Sequence, residues 1–220
     1  MFAGTAQVVG TVLTVTGTSA GETIEVYEEN GQNHDVIKVR FDGGTPFNFL
    51  DNQFTSIKVS AGGGNDTIVF GNTNNPFVAT GDEPVKFAAV IYGEAGDDSV
   101  TATDNNDVVY GGYGYDLLDG YSGNDTMFGG NGSGVGDDTA GGDTLNGWNG
   151  NDSLMGEGGA DSIWGGEGAD YMYGGDGDDT LDAREFTSAI DTLDGGNGTD
   201  CGWWTTGVDS ATNMEGNFML

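Results

Sequence analysis

The sequence predicts an all-β fold, a right-handed parallel β-roll (β-solenoid) with a β-rich unit at its N-terminus. Three observations lead there. Between Gly147 and Asp182 the chain reads in blocks of nine, GWNGNDSLM, GEGGADSIW, GGEGADYMY and GGDGDDTLD, each with Gly near its start, Asp at the sixth place and an apolar residue at the eighth. A period of nine fits neither an α-helix nor a long strand, but it fits half a turn of a parallel solenoid, a tight turn followed by a very short strand. Second, 43 of the 220 residues are Gly and 3 are Pro, and the glycines recur at turn places every nine residues, not at every third as in collagen. Tight turns with positive φ are where Gly costs least. Third, the N-terminal residues alternate apolar and polar in the manner of strands.

Taken in order, residues 1–60 form the β-rich unit, with strands expected at Gln7–Thr16, Thr23–Tyr27, Val36–Phe41 and Thr55–Ser60. Within it GTSAGETIE (Gly17–Glu25) is a worn block, with Glu22 in the Asp place and Ile24 in the apolar place. The unit is therefore either an eroded extension of the solenoid or a separate antiparallel meander. Residues 61–92 hold the first clear block, AGGGNDTIV with Asp66, and an irregular connection carrying NTNNP and GDEP, expected as a loop or an extra strand pair. Residues 93–203 are the repeat array. From GEAGDDSVT onward the sixth places are Asp98, Asp107, Asp116, Asp125, Gly134, Asp143, Asp152, Asp161, Asp170 and Asp179. At GGNGSGVGD, Gly134 and Gly136 replace the carboxylate and the core residue, which predicts a missing site unless Asp137 or Asp138 substitutes. A three-residue bulge carrying Arg184 follows, after which Asp191, Leu193 and Asp200 resume the register. Residues 204–220 leave the pattern and are expected to be a cap or a secretion tail.

Residues eighteen apart should stack on one edge. That places Asp107, Asp125, Asp143, Asp161, Asp179 and Asp200 on one edge, and Asp98, Asp116, Gly134, Asp152, Asp170 and Asp191 on the other. Adjacent strands lie about 4.8 Å apart, so stacked carboxylates repel unless a cation lies between them. The chain has 36 acidic residues against 5 Lys plus Arg, a formal charge of −31, and no basic residue between Lys86 and Arg184. A salt-bridge network therefore cannot neutralise the array, and nucleic acid and anionic membranes are disfavoured as partners. Calcium suits the gaps, because it takes carboxylate and carbonyl oxygens in flexible geometry; magnesium is stricter, and zinc wants His or Cys. The eighth places (Val100, Val109, Leu118, Met127, Leu145, Leu154, Ile163, Met172, Leu181, Leu193) should form a thin inner column, leaving metal to supply folding free energy.

The blocks resemble the RTX (hemolysin-type) calcium-binding nonapeptide, G-G-x-G-x-D-x-U-x. The resemblance implies several calcium ions held between successive turns by turn carbonyls and the sixth-place carboxylates of Asp66, Asp98, Asp107, Asp116, Asp125, Asp143, Asp152, Asp161, Asp170, Asp179, Asp191 and Asp200. It also implies a secreted protein, extracellular or at the cell surface. No catalytic constellation accompanies it: His34 is the single histidine, and neither the HExxH helix of RTX proteases nor a G-x-S-x-G elbow occurs. No apolar run is long enough to span a membrane.

The expectation is a non-catalytic, calcium-binding structural or self-assembling component of a filament, surface layer or matrix. The alternative is an RTX module that supports calcium-triggered secretion or stabilises a partner enzyme. Ninth-place side chains, Tyr110, Phe128 and Trp164 on one edge and Met155 and Tyr173 on the other, either pack along the roll or form a lateral contact. Cys201 is read as a small buried residue or an intermolecular link. Met1-Phe2-Ala3 lacks a signal-like n-region, and the ending Glu215–Leu220 reads equally as a C-terminal export signal or a cap.

Overall fold

The structure, a computed structural model, describes residues 4–29, 35–71, 82–83, 85–132, 141–185, 189–205 and 208–217. The N-terminal strands are β1 (Thr5–Val9), β2 (Val12–Thr16), β3 (Thr23–Glu29), β4 (Val36–Phe41), β5 (Phe47–Leu50), β6 (Ser56–Gly63), β7 (Thr67–Phe70) and β8 (Asp82–Glu83). The array contributes β9 (Ala89–Ala95), β10 (Ser99–Thr101), β11 (Val108–Tyr113), β12 (Leu117–Asp119), β13 (Thr126–Phe128), β14 (Thr144–Asn149) and β15 (Ser153–Gly158). It continues through β16 (Ser162–Glu167), β17 (Tyr171–Asp176), β18 (Thr180–Asp182), β19 (Thr192–Asn197), β20 (Cys201–Trp203), β21 (Ser210–Thr212) and β22 (Gly216–Asn217).

These strands make a mostly parallel, repeat-patterned all-β structure. From β9 on, successive strands alternate between two sheets, so each strand pairs in parallel with the next but one. Sheet one runs β1-β2-β6-β9-β11-β13-β15-β17-β19-β21, and sheet two runs β22-β20-β18-β16-β14-β12-β10-β7-β3-β4-β5. Both are parallel through the repeats and turn antiparallel at the N-terminal end, where β1 pairs β2 and β4 lies between β3 and β5. The stretch expected as one strand over Gln7–Thr16 is a hairpin, because Gly10 takes φ +64° and reverses the chain.

Strand alternation turns one face of each sheet inward, and the inward residues of both sheets belong to one apolar cluster. All ten expected eighth-place residues are buried, none more than 1 % exposed. Toward the N-terminus the core thickens with Leu13, Val15, Ile24, Val26, Ile37, Val39, Phe54 and Phe70.

The register departs from expectation at one place. Leu118 pairs with Leu145 and Met127 with Leu154, 27 residues on, where the spacing elsewhere in the array is 18, or 21 across the expected three-residue bulge. One nonapeptide's worth of sequence between β13 and β14 is thus skipped in the pairing of both sheets, where β12 pairs directly with β14 and β13 with β15. The physical reason lies in its sequence, since GGNGSGVGD offers neither the carboxylate nor the inward side chain that would hold it in the stack. Gly134, Gly136, Asp137 and Asp138 lie outside the described residues, as do His34 and the NTNNP segment. Everything from Asp143 onward therefore sits on the edge opposite to the one expected.

The tail, expected to leave the pattern, stays within it. β21 pairs in parallel with β19, and β22 with β20.

Candidate metal centre

Each block turns at its glycines and delivers its sixth residue just before a strand, with the side chain directed into the stack. Two ladders result. In the first, the backbone N–H of Glu22 donates to Asp66 Oδ1, and the same bond repeats through Asp98, Asp116, Asp143, Asp161, Asp179 and Asp200 at 2.7–2.9 Å. In the second, the N–H of Ala89 donates to Asp107 Oδ1, and the bond repeats through Asp125, Asp152, Asp170 and Asp191 at 2.7–2.8 Å. All twelve sequence-identified Asp residues fall on these ladders, each 3 % exposed or less. From Asp143 on, their division between the two edges is the reverse of that expected, and neither ladder has a gap.

One oxygen of each pair is thus committed to the neighbouring rung. In the blocks that open with Gly, the other is aimed at the Cα of that first Gly. A Cβ on Gly93 would lie 2.4 Å from both Asp98 Oδ2 and the Gly111 carbonyl oxygen; on Gly147 it would lie 2.4 Å from Asp152 Oδ2 and 2.5 Å from the Gly165 carbonyl oxygen. In these Gly-led blocks carboxylate and carbonyl oxygens therefore converge over a cradle that a Cβ at the first place would fill. The buried Oδ2 atoms of Asp66, Asp98, Asp125, Asp152, Asp170, Asp179 and Asp200 have no hydrogen-bond partner. A buried acceptor without a donor is costly, and oxygens that converge without a proton between them fit a hard cation taking carboxylate and carbonyl ligands.

The electrostatics agree. Burial pushes Asp98, Asp170 and Asp191 up to about 7 and Asp125 up to about 9, from an ordinary 3.8, with the donated N–H pulling down and neighbouring carboxylates pushing further up. Asp66, Asp107, Asp152 and Asp179 rise to about 6 for the same leading reason. No group of three or more His, Cys, Asp or Glu side chains able to hold a metal occurs among the described residues.

Sequence reasoning missed two features of the site, the carboxylates of the tail and an outer ladder. Asp209 Oδ1 accepts the N–H of Asp191 at 3.2 Å and Glu215 Oε2 that of Asp200 at 2.6 Å, so the tail extends both ladders. The signal was present, because WTTGVDSAT keeps Asp209 eighteen residues from Asp191, but without a leading Gly pair. Fifth-place Asn and Asp build an outer ladder, in which Asn124 N–H donates to Asn106, Asn151 N–H to Asn124 and Ala169 N–H to Asn151, at 2.8–2.9 Å. On the outer face of sheet one Tyr92 stacks on Tyr110 and Tyr110 on Phe128, with centroids 4.8 and 4.9 Å apart. Met155 and Tyr173 follow in the same register, whereas Trp164 lies on sheet two; the register skip again exchanges the expected edges. Cys201 is half-buried and free, its Sγ 3.8 Å from Thr180 Oγ1.

No helix among the described residues is long and apolar enough to cross a membrane. No curated protein and no solved structure matches the chain. The family model of the RTX calcium-binding nonapeptide repeat (4 copies) matches residues 58–75, 90–103, 101–136, 135–162 and 149–181, stretches that hold ten of the twelve buried Asp residues. That repeat is a calcium-binding structural unit and not a catalytic one. With its motif, its two Asp ladders and about half its length matched, the chain belongs to the RTX calcium-binding nonapeptide repeat family.

Proposed function

We propose that the chain is a secreted calcium-binding β-roll that folds as it binds calcium and serves as a structural or self-assembling extracellular component. The two sheets form the flanks of a right-handed roll over residues 93–203, with residues 1–60 as its β-rich head, 61–92 as the connection and 204–220 as its end. Calcium ions lie between rungs, held by the ladder carboxylates and the first-place carbonyls. One observation carries this reading: buried acceptor oxygens converge along both ladders in a stretch with no Lys or Arg between Lys86 and Arg184. Cytosolic calcium is too scarce for repeat-turn sites of this kind, whereas extracellular modules bind at about 10⁻⁴–10⁻³ M, which supports an extracellular location.

Association is supported by the aromatic column on sheet one, a flat strip along several rungs. A second reading, a non-catalytic module that supports secretion or stabilises a partner enzyme, is favoured by the antiparallel strands at the N-terminal end, which interrupt parallel stacking there. One experiment addresses both. Circular dichroism and sedimentation are followed while calcium is removed and restored. Loss of β-signal on chelation with recovery on calcium is expected, together with sedimentation as an assembly. Signal unchanged after verified metal removal refutes the calcium reading, and persistent monomers in calcium favour the module.

A further inference from the structure

The rungs are not alike. In blocks ending at Asp98, Asp125, Asp152 and Asp170 the second place is Glu94, Tyr121, Trp148 or Gly166, with φ between +73° and +100°. With this left-handed conformation no second-place N–H donates to the block's own carboxylate, and Oδ2 of each of these Asp residues has no hydrogen-bond partner. Such a conformation is costly for aromatic and acidic residues, so the open rung imposes it.

Among the described residues, three blocks are built differently. Those ending at Glu22, Asp107 and Asp209 carry Thr18, Thr103 and Thr205 at the second place, and none of these has positive φ. Each turns its N–H onto its own block's carboxylate: Thr18 to Glu22 Oε2 at 2.9 Å, Thr103 to Asp107 Oδ2 at 2.7 Å and Thr205 to Asp209 Oδ2 at 2.7 Å. The hydroxyls of Thr18 and Thr103 donate to the same carboxylates, at 2.5 Å to Glu22 Oε1 and 2.8 Å to Asp107 Oδ2. The first place is Ala102 before Asp107, but Ala61 also stands first before Asp66, whose rung is open with Gly62 at φ +109°. The second place therefore decides.

A carboxylate that accepts an N–H and an O–H is satisfied by charge-assisted bonds, and the positive ends of those donors occupy the direction from which a cation would bind. We infer that a threonine at the second place converts a rung from a cation site into a self-capped rung that holds its shape without calcium. Glu22 and Asp107, the first carboxylates of the two ladders, are capped in this way, and the capped rungs give calcium-dependent rungs a metal-free template to assemble on. The surrounding strands also carry their own counter-charges, Arg40 on Glu25 and Lys86 on Glu28, each at 2.6 Å. Asp107, expected from sequence to be a metal ligand, is thereby removed from the calcium set. The inference rests on the calcium reading proposed above.

Replacing Ala102→Gly and Thr103→Gly together gives this rung the Gly-Gly of an open block. Calorimetric titration of the full chain with calcium should then count one more ion per chain than the unaltered protein, and an equal count overturns the inference. A folding defect in the variant is separated by a measurement on the unaltered chain. With calcium chelated, the amides of Thr18 and Thr103 should exchange at least ~10-fold more slowly than those of Trp148 and Gly166. Equally fast exchange at both sets overturns the inference. A chain that binds no calcium yet keeps Thr18 and Thr103 protected would sink the calcium reading while upholding the self-capped rungs.

Discussion

Acidifying the chelated chain from about pH 8 to about pH 5 is expected to strengthen its fold. Burial pushes Asp98, Asp170 and Asp191 up to about 7, so in that interval each holds a proton in the folded chain that the unfolded chain has released. A folded value above the unfolded one makes the ionised form the costly one. The contribution is fully present below about 3.8 and is lost as pH rises through about 7. The difference between 3.8 and about 7 is worth about 4 kcal/mol for one such carboxylate, of which roughly 3 kcal/mol returns between about pH 8 and about pH 5. Protons should therefore stand in part for calcium, and calcium affinity should fall over the same interval. The far-UV circular dichroism β-signal of the chelated chain, followed across this range, measures the effect, and it should grow as pH falls. A signal that stays level, or that climbs as pH rises, refutes the reasoning.

Two substitutions probe the array and the N-terminal unit. Gly156→Ala would set a Cβ 2.2 Å from Asp161 Oδ2 and 2.6 Å from the Gly174 carbonyl oxygen, so it should displace that carboxylate and remove one calcium from the calorimetric count; an undiminished count contradicts the proposed cradle. Lys86→Met strips the counter-charge from Glu28, which is fully buried and already raised by desolvation, and should cost about 3–5 kcal/mol in the urea midpoint. Adding Glu28→Gln should return part of that loss, and an additive second loss would show that the pair is not the cause.

The array was legible because one physical constraint, the Gly-rich turn followed by an inward residue, recurs at a fixed period. Leu154, Ile163 and Met172 could be placed in the core, and Asp152, Asp161 and Asp170 on the ladders, by counting. Counting failed where a block lacked its anchors. The nonapeptide around Gly134 keeps the spacing but has nothing to insert, so the sequence alone could not reveal that the stack passes over it. The reverse error occurred at Asp209 and Glu215, where missing glycines hid carboxylates that do stack. Composition did not distinguish Thr103 from the glycines it replaces either. The difference is the direction of one N–H, which depends on a φ angle that the residue type permits but does not announce.

The register skip between β13 and β14 bears on how such a molecule changes length. Each rung takes two nonapeptides, one per sheet, so absorbing a single extra unit would carry every later side chain onto the opposite flank. Here 27 residues do the work of 18, and the carboxylates, inner residues and outer aromatics on either side stay in phase. A unit that has lost both its carboxylate and its inward residue can therefore stay in the chain without shifting the rungs that follow it. The array tolerates the decay of a single unit, because its neighbours pair across it.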